Sequence, residues 1–481
     1  MYEEKLKKSA FGIQLLATIC ISFLAVQTGL VCGWPSYTVE MFQSNETILT
    51  RPMSSIDISL LGGLPNIGGL VTSPFCGYVF NKIGRKYATI LFGLPYLINW
   101  IIILLCNSVP FILIAAVIAG IGIAGQNVSL IYISEISHDS IRGGLTAFSA
   151  SGYFLGILIS YILGGYLSYY NVVYTCLALC ILCMICLALL KESPVYLLLI
   201  GKEKEAANSI AFYNQVEVKS KTVEKEIKKL KIQMDPRLEK ILDGNIDLET
   251  TEELMDSMLG DMIVTTKESP WKLFLKSKSS KRALSTVLMV IALTVAMGSV
   301  ILQVYAEKLF KEAVPSMSPN TCAIILAVDF LVASFICVLI IDKFGRKNLL
   351  LVTSALSGIC TVLLGAQLQK QWAPHWVTAA LIYLYSFIYT VGCAVIPFVL
   401  AAEVYLPEVR SFCNGISMAF VWAVTFITLF IFNPVAEAIG LAPVFYCFSF
   451  ICFLGTLYAH LRVPETKGLS ADEIQALFLK R

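Results

Sequence analysis

The strongest constraint in this sequence is a series of long apolar runs separated by short polar loops. A run of about 20 residues, folded as an α-helix, crosses the roughly 30 Å of hydrocarbon in a lipid bilayer. Hydrophobic residues make up 57% of the chain and charged residues 14%, which excludes a water-soluble protein. The sequence therefore predicts an all-α membrane protein with twelve transmembrane helices. The predicted spans are 11–33, 58–80, 87–106, 110–132, 146–168, 171–190, 284–305, 321–341, 348–368, 376–400, 412–433 and 443–462.

A repeated motif divides these spans into two sets of six. Residues 77–86 end in Gly-Arg-Lys between the second and third spans, and residues 342–347 end in the same triplet between the eighth and ninth. Two such turns in corresponding places indicate a duplicated six-helix bundle. We expect an N-terminal bundle over 1–190, a C-terminal bundle over 284–462 and a tail over 463–481. The charged stretch 191–283 predicts a cytoplasmic linker of short amphipathic helices, with a looser acidic part at 243–261.

The short loops predict the orientation in the membrane. Positive side chains cluster in the loops on one side, and cytoplasmic loops are the ones that carry excess Lys and Arg. This side holds both termini, through the basic residues at 5–8 and 480–481. A multi-pass protein of the plasma membrane is expected, with the sequon at Asn45 outside the cell and available to a glycan. The cations are Lys82, Arg85, Lys86, Arg142, Lys343, Arg346, Lys347 and Arg410.

Charged residues of both signs recur in register across the two halves. Glu135 precedes Arg142 by seven residues, and Glu403 precedes Arg410 by the same distance. Their shared depth predicts a ring of ion pairs that acts as a gate; the alternative is that these charges anchor helix ends at the lipid headgroups. The predicted gate residues are Arg85, Glu135, Arg142, Glu192, Asp342, Arg346, Glu403, Arg410 and Glu465.

Together these motifs resemble those of the sugar porters of the major facilitator superfamily, over nearly the whole chain. The similarity is to the facilitative glucose transporters and the insect trehalose transporters. The resemblance implies two bundles that rock about a central site, with intracellular salt bridges that hold the outward-facing state. It implies facilitative transport of a sugar such as trehalose or a hexose, by a monomer in the lipid bilayer without a cofactor.

The resemblance weakens where the substrate binds. The family's glutamine on the fifth span corresponds to Ala150, and of the family pattern on the seventh span only Gly298 remains. A sugar hydroxyl that leaves water needs a hydrogen-bond partner, so other polar residues must replace the lost amides. For each candidate the alternative is a hydrogen bond between helices, and for Trp422 it is core packing. The candidates are Gln27, Thr28, Thr294, Gln303, Tyr305, Thr390, Trp422 and Thr425.

One carboxylate falls near the middle of a predicted span. Asp329 lies in the eighth span, and an ionisable group at that depth is expensive unless it has a function or a partner. It is a candidate for carrying a proton or pairing with a cationic substrate; the alternative is a protonated carboxyl that bonds to a neighbouring helix. Two further functions stay open: a transporter of a less polar or cationic solute that uses Asp329, and a sensor that does not transport.

Other classes of function find no support in the sequence. The net charge of +3 does not favour a nucleic-acid partner, and there is no phosphate-binding loop for an ATP-driven pump. We predict that the protein is not an enzyme, because no nucleophile and base or metal-ligand cluster accompanies the helices. Small residues at 152, 156, 160 and 164 form a stripe on the fifth span, which predicts close approach of another helix backbone.

Overall fold

The computed structural model describes residues 8–234, 271, 274–275, 277–405, 407–467, 469, 473–474 and 477–478, which contain nineteen helices. The predicted acidic part at 243–261 and the terminal basic residues at 5–7 and 480–481 lie outside the described residues. The first half has α1 (Lys8–Gln43), α2 (Ser55–Ile83), α3 (Arg85–Leu105), α4 (Val109–Ala124), α5 (Gln126–Ile136), α6 (Asp139–Tyr166) and α7 (Tyr169–Leu189). The linker has α8 (Pro194–Leu199), α9 (Glu203–Asn214) and α10 (Lys221–Met234). The second half has α11 (Lys278–Ala296), α12 (Ser299–Val304), α13 (Ala306–Ala313), α14 (Pro319–Phe344), α15 (Arg346–Lys370), α16 (His375–Val391), α17 (Ile396–Glu403), α18 (Pro407–Ile439) and α19 (Leu441–Arg462).

The all-helical prediction is confirmed, and the twelve predicted spans each coincide with one helix or a broken pair. Among the described helices, eleven spans are long and apolar enough to cross a membrane. The remaining predicted span is α2, whose glycines, prolines and Asn66 dilute its apolar residues.

Three predicted spans are interrupted in the structure. The fourth breaks at Gly125, the seventh at Gly298 and the tenth after Gly392. Gly298 has a φ of 97°, a left-handed conformation that a residue with a Cβ rarely adopts. Discontinuous helices of this kind are tolerated in a membrane protein where other helices cover the freed backbone groups.

The two halves meet through two equivalent pairs of helices. The second span of the first half, α2, packs on the fifth span of the second half, α18. Likewise α14, the second span of the second half, packs on α6, the fifth span of the first. Exchange of the halves converts one pair into the other, as expected for two bundles related by a pseudo-twofold axis.

The linker helices pack on the first half through a buried amide. Gln14 on α1 donates from Nε2 to the Tyr213 carbonyl and to Asn214 Oδ1 on α9, both at 3.2 Å. Its Oε1 accepts from the backbone N–H of His138 at 2.8 Å.

The end of the molecule at which the linker packs carries Gly84 and Gly345, and we call it the motif end. The end that carries Gln43 and Ser55 is called the opposite end.

Candidate functional site

An ion-pair cluster occupies the motif end of the first half. The Arg85 guanidinium donates through Nε and Nη2 to the Glu135 carboxylate at 2.9 to 3.1 Å. Glu192 accepts from the backbone N–H groups of Arg85 at 2.9 Å and Lys86 at 3.0 Å. Burial raises the pKa of the Glu192 carboxyl, and these backbone donors oppose that rise. The start of α3 thus supplies donors to two carboxylates from two other segments.

The second half repeats this cluster bond for bond. Arg346 donates from Nε to Glu403 at 3.1 Å, and its Nη2 lies 2.8 Å from the same carboxylate. Glu465 accepts from the backbone N–H groups of Arg346 at 2.8 Å and Lys347 at 3.2 Å. The Thr466 hydroxyl donates to Glu403 at 2.6 Å. In the first half, the Ser193 hydroxyl donates to Glu135 in the same way. The repeat seen in the sequence therefore extends to individual hydrogen bonds.

The glycine of each Gly-Arg-Lys motif makes room for these carboxylates. Gly84 and Gly345 have φ values of 93° and 81°. A Cβ on Gly84 would lie 2.4 Å from Glu192 Oε2, and one on Gly345 would lie 2.6 Å from Glu465 Oε2. A side chain at either position would displace the carboxylate from the backbone donors.

Six of the nine predicted gate residues belong to these two clusters, one cluster in each half. Arg142 and Arg410 occupy equivalent places nearby, where their Nη2 atoms donate to the carbonyls of Ser137 at 3.4 Å and Tyr405 at 3.5 Å. The side chain of Asp342 lies outside the described residues. The six charges of the two clusters are thus paired within their own halves in this conformation.

Polar contacts join the two halves at the opposite end. The Ser55 hydroxyl donates to Glu437 at 2.6 Å, and Asn433 Nδ2 donates to the Ser59 hydroxyl at 3.4 Å. The Tyr305 hydroxyl donates to the Ile58 carbonyl at 3.2 Å. Lys311 on α13 also forms a salt bridge with Glu40 on α1. The halves are therefore closed against each other at this end.

A second layer of contacts joins the halves between the opposite end and the motif end. Gln303 on α12 accepts from the Tyr153 hydroxyl at its Oε1 at 2.9 Å, and from the Tyr161 hydroxyl at its backbone carbonyl at 2.5 Å. Trp422 Nε1 on α18 donates to the Ser73 hydroxyl on α2 at 3.0 Å. We call these five residues the central layer. Trp422 lies at the midpoint of its predicted span, whereas Gln303 lies two residues before the end of the predicted span 284–305.

Three of the predicted substrate residues join the halves. Gln303 and Trp422 belong to the central layer, and Tyr305 lies next to it, stacked on Phe432 with ring centroids 5.8 Å apart. Trp422 also covers Gly69, where a Cβ would approach its indole to 3.2 Å. These contacts are made with polar and small residues of the other half, so a change in the distance between the halves would alter all of them.

The three predicted threonines of the second half differ in their bonding. The Thr294 hydroxyl donates to the Val290 carbonyl in its own helix at 2.9 Å. Thr390 Oγ1 is buried and has no hydrogen-bond partner among the described residues. Thr425 is buried on α18, three residues after Trp422. Thr294 is thus bonded within its own helix, whereas the Thr390 hydroxyl has no partner among the described residues.

Gln27 and Thr28 bond within the first half. Gln27 Oε1 accepts from Trp100 Nε1 at 3.2 Å, and the Thr28 hydroxyl lies 2.7 Å from the Tyr96 hydroxyl. Both partners are on α3, whereas the central layer is formed by α2, α6, α12 and α18. These bonds match the alternative of a hydrogen bond between helices, and a role in substrate binding stays a prediction.

Asp329 on α14 accepts a hydrogen bond from the Ser386 hydroxyl on α16. Its neighbour Phe330 stacks on Phe154 of α6, with ring centroids 5.6 Å apart. Because Phe330 is the next residue along the helix, the Asp329 carboxylate lies on the face of α14 adjacent to the one that contacts the first half. The Asp329 carboxyl group thus has a partner on another helix. This agrees with the interpretation of Asp329 as a carboxyl that bonds to a neighbouring helix.

Several residues of these contacts were not predicted, above all Ser73, Tyr161 and Asn433. A signal for Ser73 is present in the sequence. Ser59, Asn66 and Ser73 recur at seven-residue spacing on α2, with Gly62 and Gly69 between them, which puts small and polar residues on one face. That face meets the second half, because a Cβ on Gly62 would lie 2.3 Å from the Tyr305 hydroxyl. No comparable pattern marks Tyr161 or Asn433.

Comparison with known proteins agrees with this architecture. Residues 17–478 match the model of the family described as "Sugar (and other) transporter". The chain belongs to the sugar (and other) transporter family. Among its relatives in this family are proteins named facilitated trehalose transporter Tret1. The protein from Culex quinquefasciatus is 23% identical over 98% of this chain and 87% of its own length. The protein from Polypedilum vanderplanki is 24% identical over 97% and 88%.

Solved structures show the same fold. The inward-open conformation of the xylose transporter XylE from E. coli has a TM-score of 0.75 at 18% identity and covers 97% of this chain and 99% of its own. The proton:xylose symporter XylE bound to 6-bromo-6-deoxy-D-glucose has a TM-score of 0.66 at 20% identity, with coverages of 98% and 99%. The predicted fold of two six-helix bundles of the major facilitator superfamily is thereby confirmed, as is the predicted family.

Proposed function

We propose that this protein carries a sugar, such as trehalose or a hexose, across the membrane by alternating access. The observation that supports the proposal most is the central layer, in which an indole and an amide of the second half bond to hydroxyl groups of the first half. Amide and hydroxyl groups can bond a sugar's hydroxyls, and the indole can pack on the apolar face of a sugar ring. The names of the trehalose transporters related to this chain, and of the xylose transporter with the same fold, support the same class of substrate.

In the proposed cycle the halves rock about the central layer. The contacts at the opposite end separate as the motif ends approach each other. The two ion-pair clusters then come together, and Arg142 and Arg410 are placed to pair with carboxylates of the other half. The cluster residues would thus act as the gate at the motif end.

Uptake into proteoliposomes tests the proposed function. We expect saturable uptake of at least one of radiolabelled trehalose, glucose and xylose. In Trp422→Ala we expect it to be lower by about tenfold or more, since a tenfold loss equals about 1.4 kcal/mol of interaction. Trp376→Ala is the matched control, because Trp376 is 64% exposed at the start of α16. Binding without uptake would favour a sensor, uptake of an amine alone would favour another cargo, and either result contradicts the proposal.

Coupling of uptake to protons through Asp329 is the second candidate, favoured by a carboxylate within a membrane-spanning helix. If Asp329 carries the proton, an inward proton gradient accelerates uptake by the unchanged protein and leaves Asp329→Asn unaffected. Asparagine retains the hydrogen bond to Ser386 and cannot titrate, and Ser386→Ala removes the bond while leaving the carboxyl. Gradient-driven uptake that persists in Asp329→Asn would exclude coupling at this residue.

We propose that the motif end faces the cytoplasm and that the protein resides in the plasma membrane. Cytoplasmic loops carry an excess of Lys and Arg, and the motif end carries Lys82, Arg85, Lys86 and Lys347. Asn45 is exposed in the turn after α1, at the opposite end. We expect a glycosidase to lower the mass of the protein from cells, and Asn45→Gln to have the lower mass from the outset. A motif end that is accessible from outside the cell would reverse the orientation.

A further inference from the structure

A small cavity lies inside the first half, apart from the central layer. It is lined by α1, α2, α3 and α4, and its space for the centre of a water molecule is about 10 Å³. That is close to the space that a single water requires. The residues that matter for its chemistry are Val31, Trp34, Pro35, Leu61, Pro65 and Asn99.

Two residues that line this cavity carry unpartnered donors. Trp34 Nε1 and Asn99 Nδ2 are buried and have no hydrogen-bond partner within the described part of the chain. The two residues are only 4% and 2% exposed, so bulk solvent does not reach them. Trp100 beside them is different, because its indole N–H donates to Gln27 Oε1. Buried donors in native proteins nearly always have a partner, which can be an ordered water.

Two residues that line the same cavity precede a proline by four positions. In a regular helix the carbonyl of Val31 would accept from the N–H of residue 35, and the carbonyl of Leu61 from that of residue 65. Both of those residues are proline, Pro35 in α1 and Pro65 in α2, and proline has no N–H. The carbonyls of Val31 and Leu61 therefore lack their helical donors, at positions that border the cavity.

We infer that this cavity is a binding site for one water molecule, held by groups from three helices. The water accepts from Trp34 Nε1 and Asn99 Nδ2 and donates to the carbonyls of Val31 and Leu61. Two donors and two acceptors are the full complement that a water molecule matches. A metal cation does not fit, because the unpartnered side-chain groups here are N–H donors, and an organic solute exceeds the volume.

The position of the site suggests what the water does, and this part rests on the proposed alternating access. Residues just beyond Pro35, including Ser36 and Glu40, contact the second half, and so do Ile58 and Ser59 before Pro65. The water would keep the two freed carbonyls bonded while α1 and α2 bend at their prolines. The site is then a hydrated hinge behind the contacts at the opposite end.

Replacing Asn99 with leucine, a side chain of similar size, tests the water site without any transport measurement. If Asn99 bonds a fixed water, Asn99→Leu takes away one of its ligands and lowers the Tm of the purified protein by about 2 °C or more. If Asn99 is simply unpaired, the substitution removes an unfavourable donor and the Tm stays the same or rises, which overturns the inference. Ser357→Ala is the control, since Ser357 is a buried unpartnered hydroxyl that does not border this cavity.

A structure of the unchanged protein at a resolution that shows internal waters gives the second readout, independent of whether the variant folds. We expect a peak within hydrogen-bond distance of the four named atoms. A map that shows other internal waters but no peak at this position would overturn the inference. Neither result depends on the substrate, so failure of the water site and failure of the proposed sugar transport are distinguishable.

Discussion

Gly156→Leu is expected to abolish folding of the first half. Gly156 lies on α6 where its backbone touches that of α1. A Cβ on Gly156 would lie 2.2 Å from the Val26 carbonyl oxygen and 2.9 Å from Gly29 Cα. Gly29 is equally enclosed, since its own Cβ would lie 2.1 Å from the Tyr153 carbonyl oxygen. Backbone atoms cannot rotate away as a flexible side chain does, so a leucine must push the two helices apart.

Separation of α1 from α6 would disturb both layers of contacts between the halves. α6 supplies Tyr153 and Tyr161 to the central layer, and α1 supplies Ser36 and Glu40 at the opposite end. Close packing of small residues is a main source of helix association in lipid, where burial of apolar surface gives no advantage. The loss is therefore larger than the removal of any single side chain on this interface.

The measurement is size-exclusion chromatography of the detergent-solubilised protein. The fluorescence of a protein fused to the chain is used to detect it in the eluate. Gly156→Leu is expected to lose the monodisperse peak. Gly144→Leu is the matched control on the same helix, because Gly144 is exposed and a Cβ there meets nothing within 4 Å. Equal peaks for the two variants would show that the helices do not touch at Gly156.

The stripe on α6 illustrates what a sequence can predict of this fold. The small residues at 152, 156, 160 and 164 predicted close approach of another helix backbone, and this is confirmed at Gly156, whereas a Cβ on Gly164 would meet the Tyr37 ring at 2.3 Å. The identity of that helix could not be predicted, because a small-residue stripe carries no information about its partner. Likewise, hydropathy predicted the spans but not the break at Gly298. That break falls inside an apolar run and depends on the left-handed backbone conformation of Gly298.

The same limit applies to the candidate site. The charged clusters could be predicted because two copies of one motif stand in register along the chain. Tyr161 and Asn433 are single polar residues in apolar helices, and their partners lie in the other half of the molecule. Contacts of that kind depend on how the halves are placed, which in an alternating-access protein changes with conformation. Besides the predicted Gln303, Tyr305 and Trp422, the spacing of Ser59, Asn66 and Ser73 is a sign of this surface in the sequence.

Arg85→Ala is expected to lower the free energy of unfolding by roughly 3–5 kcal/mol, the usual cost of removing one partner of a buried ion pair. The side chains of Arg85 and Glu135 are only 9% and 13% exposed, so alanine leaves a carboxylate that water reaches poorly. Arg346→Ala should cost less, because the equivalent Glu403 is 26% exposed. The measurement is the unfolding midpoint of each purified variant in the same detergent.

Two further variants separate the ion pair from a general effect of losing an arginine. Arg51→Ala is expected to change stability little, because the Arg51 side chain is 53% exposed in its pair with Asp57 and exposed pairs contribute little. In Arg85→Ala combined with Glu135→Gln, much of the lost stability should return, since no uncompensated charge then remains. A double variant as unstable as the sum of the single ones would mean that Arg85 stabilises the motif end by packing on Tyr196, whose ring centroid lies 5.4 Å from the guanidinium carbon.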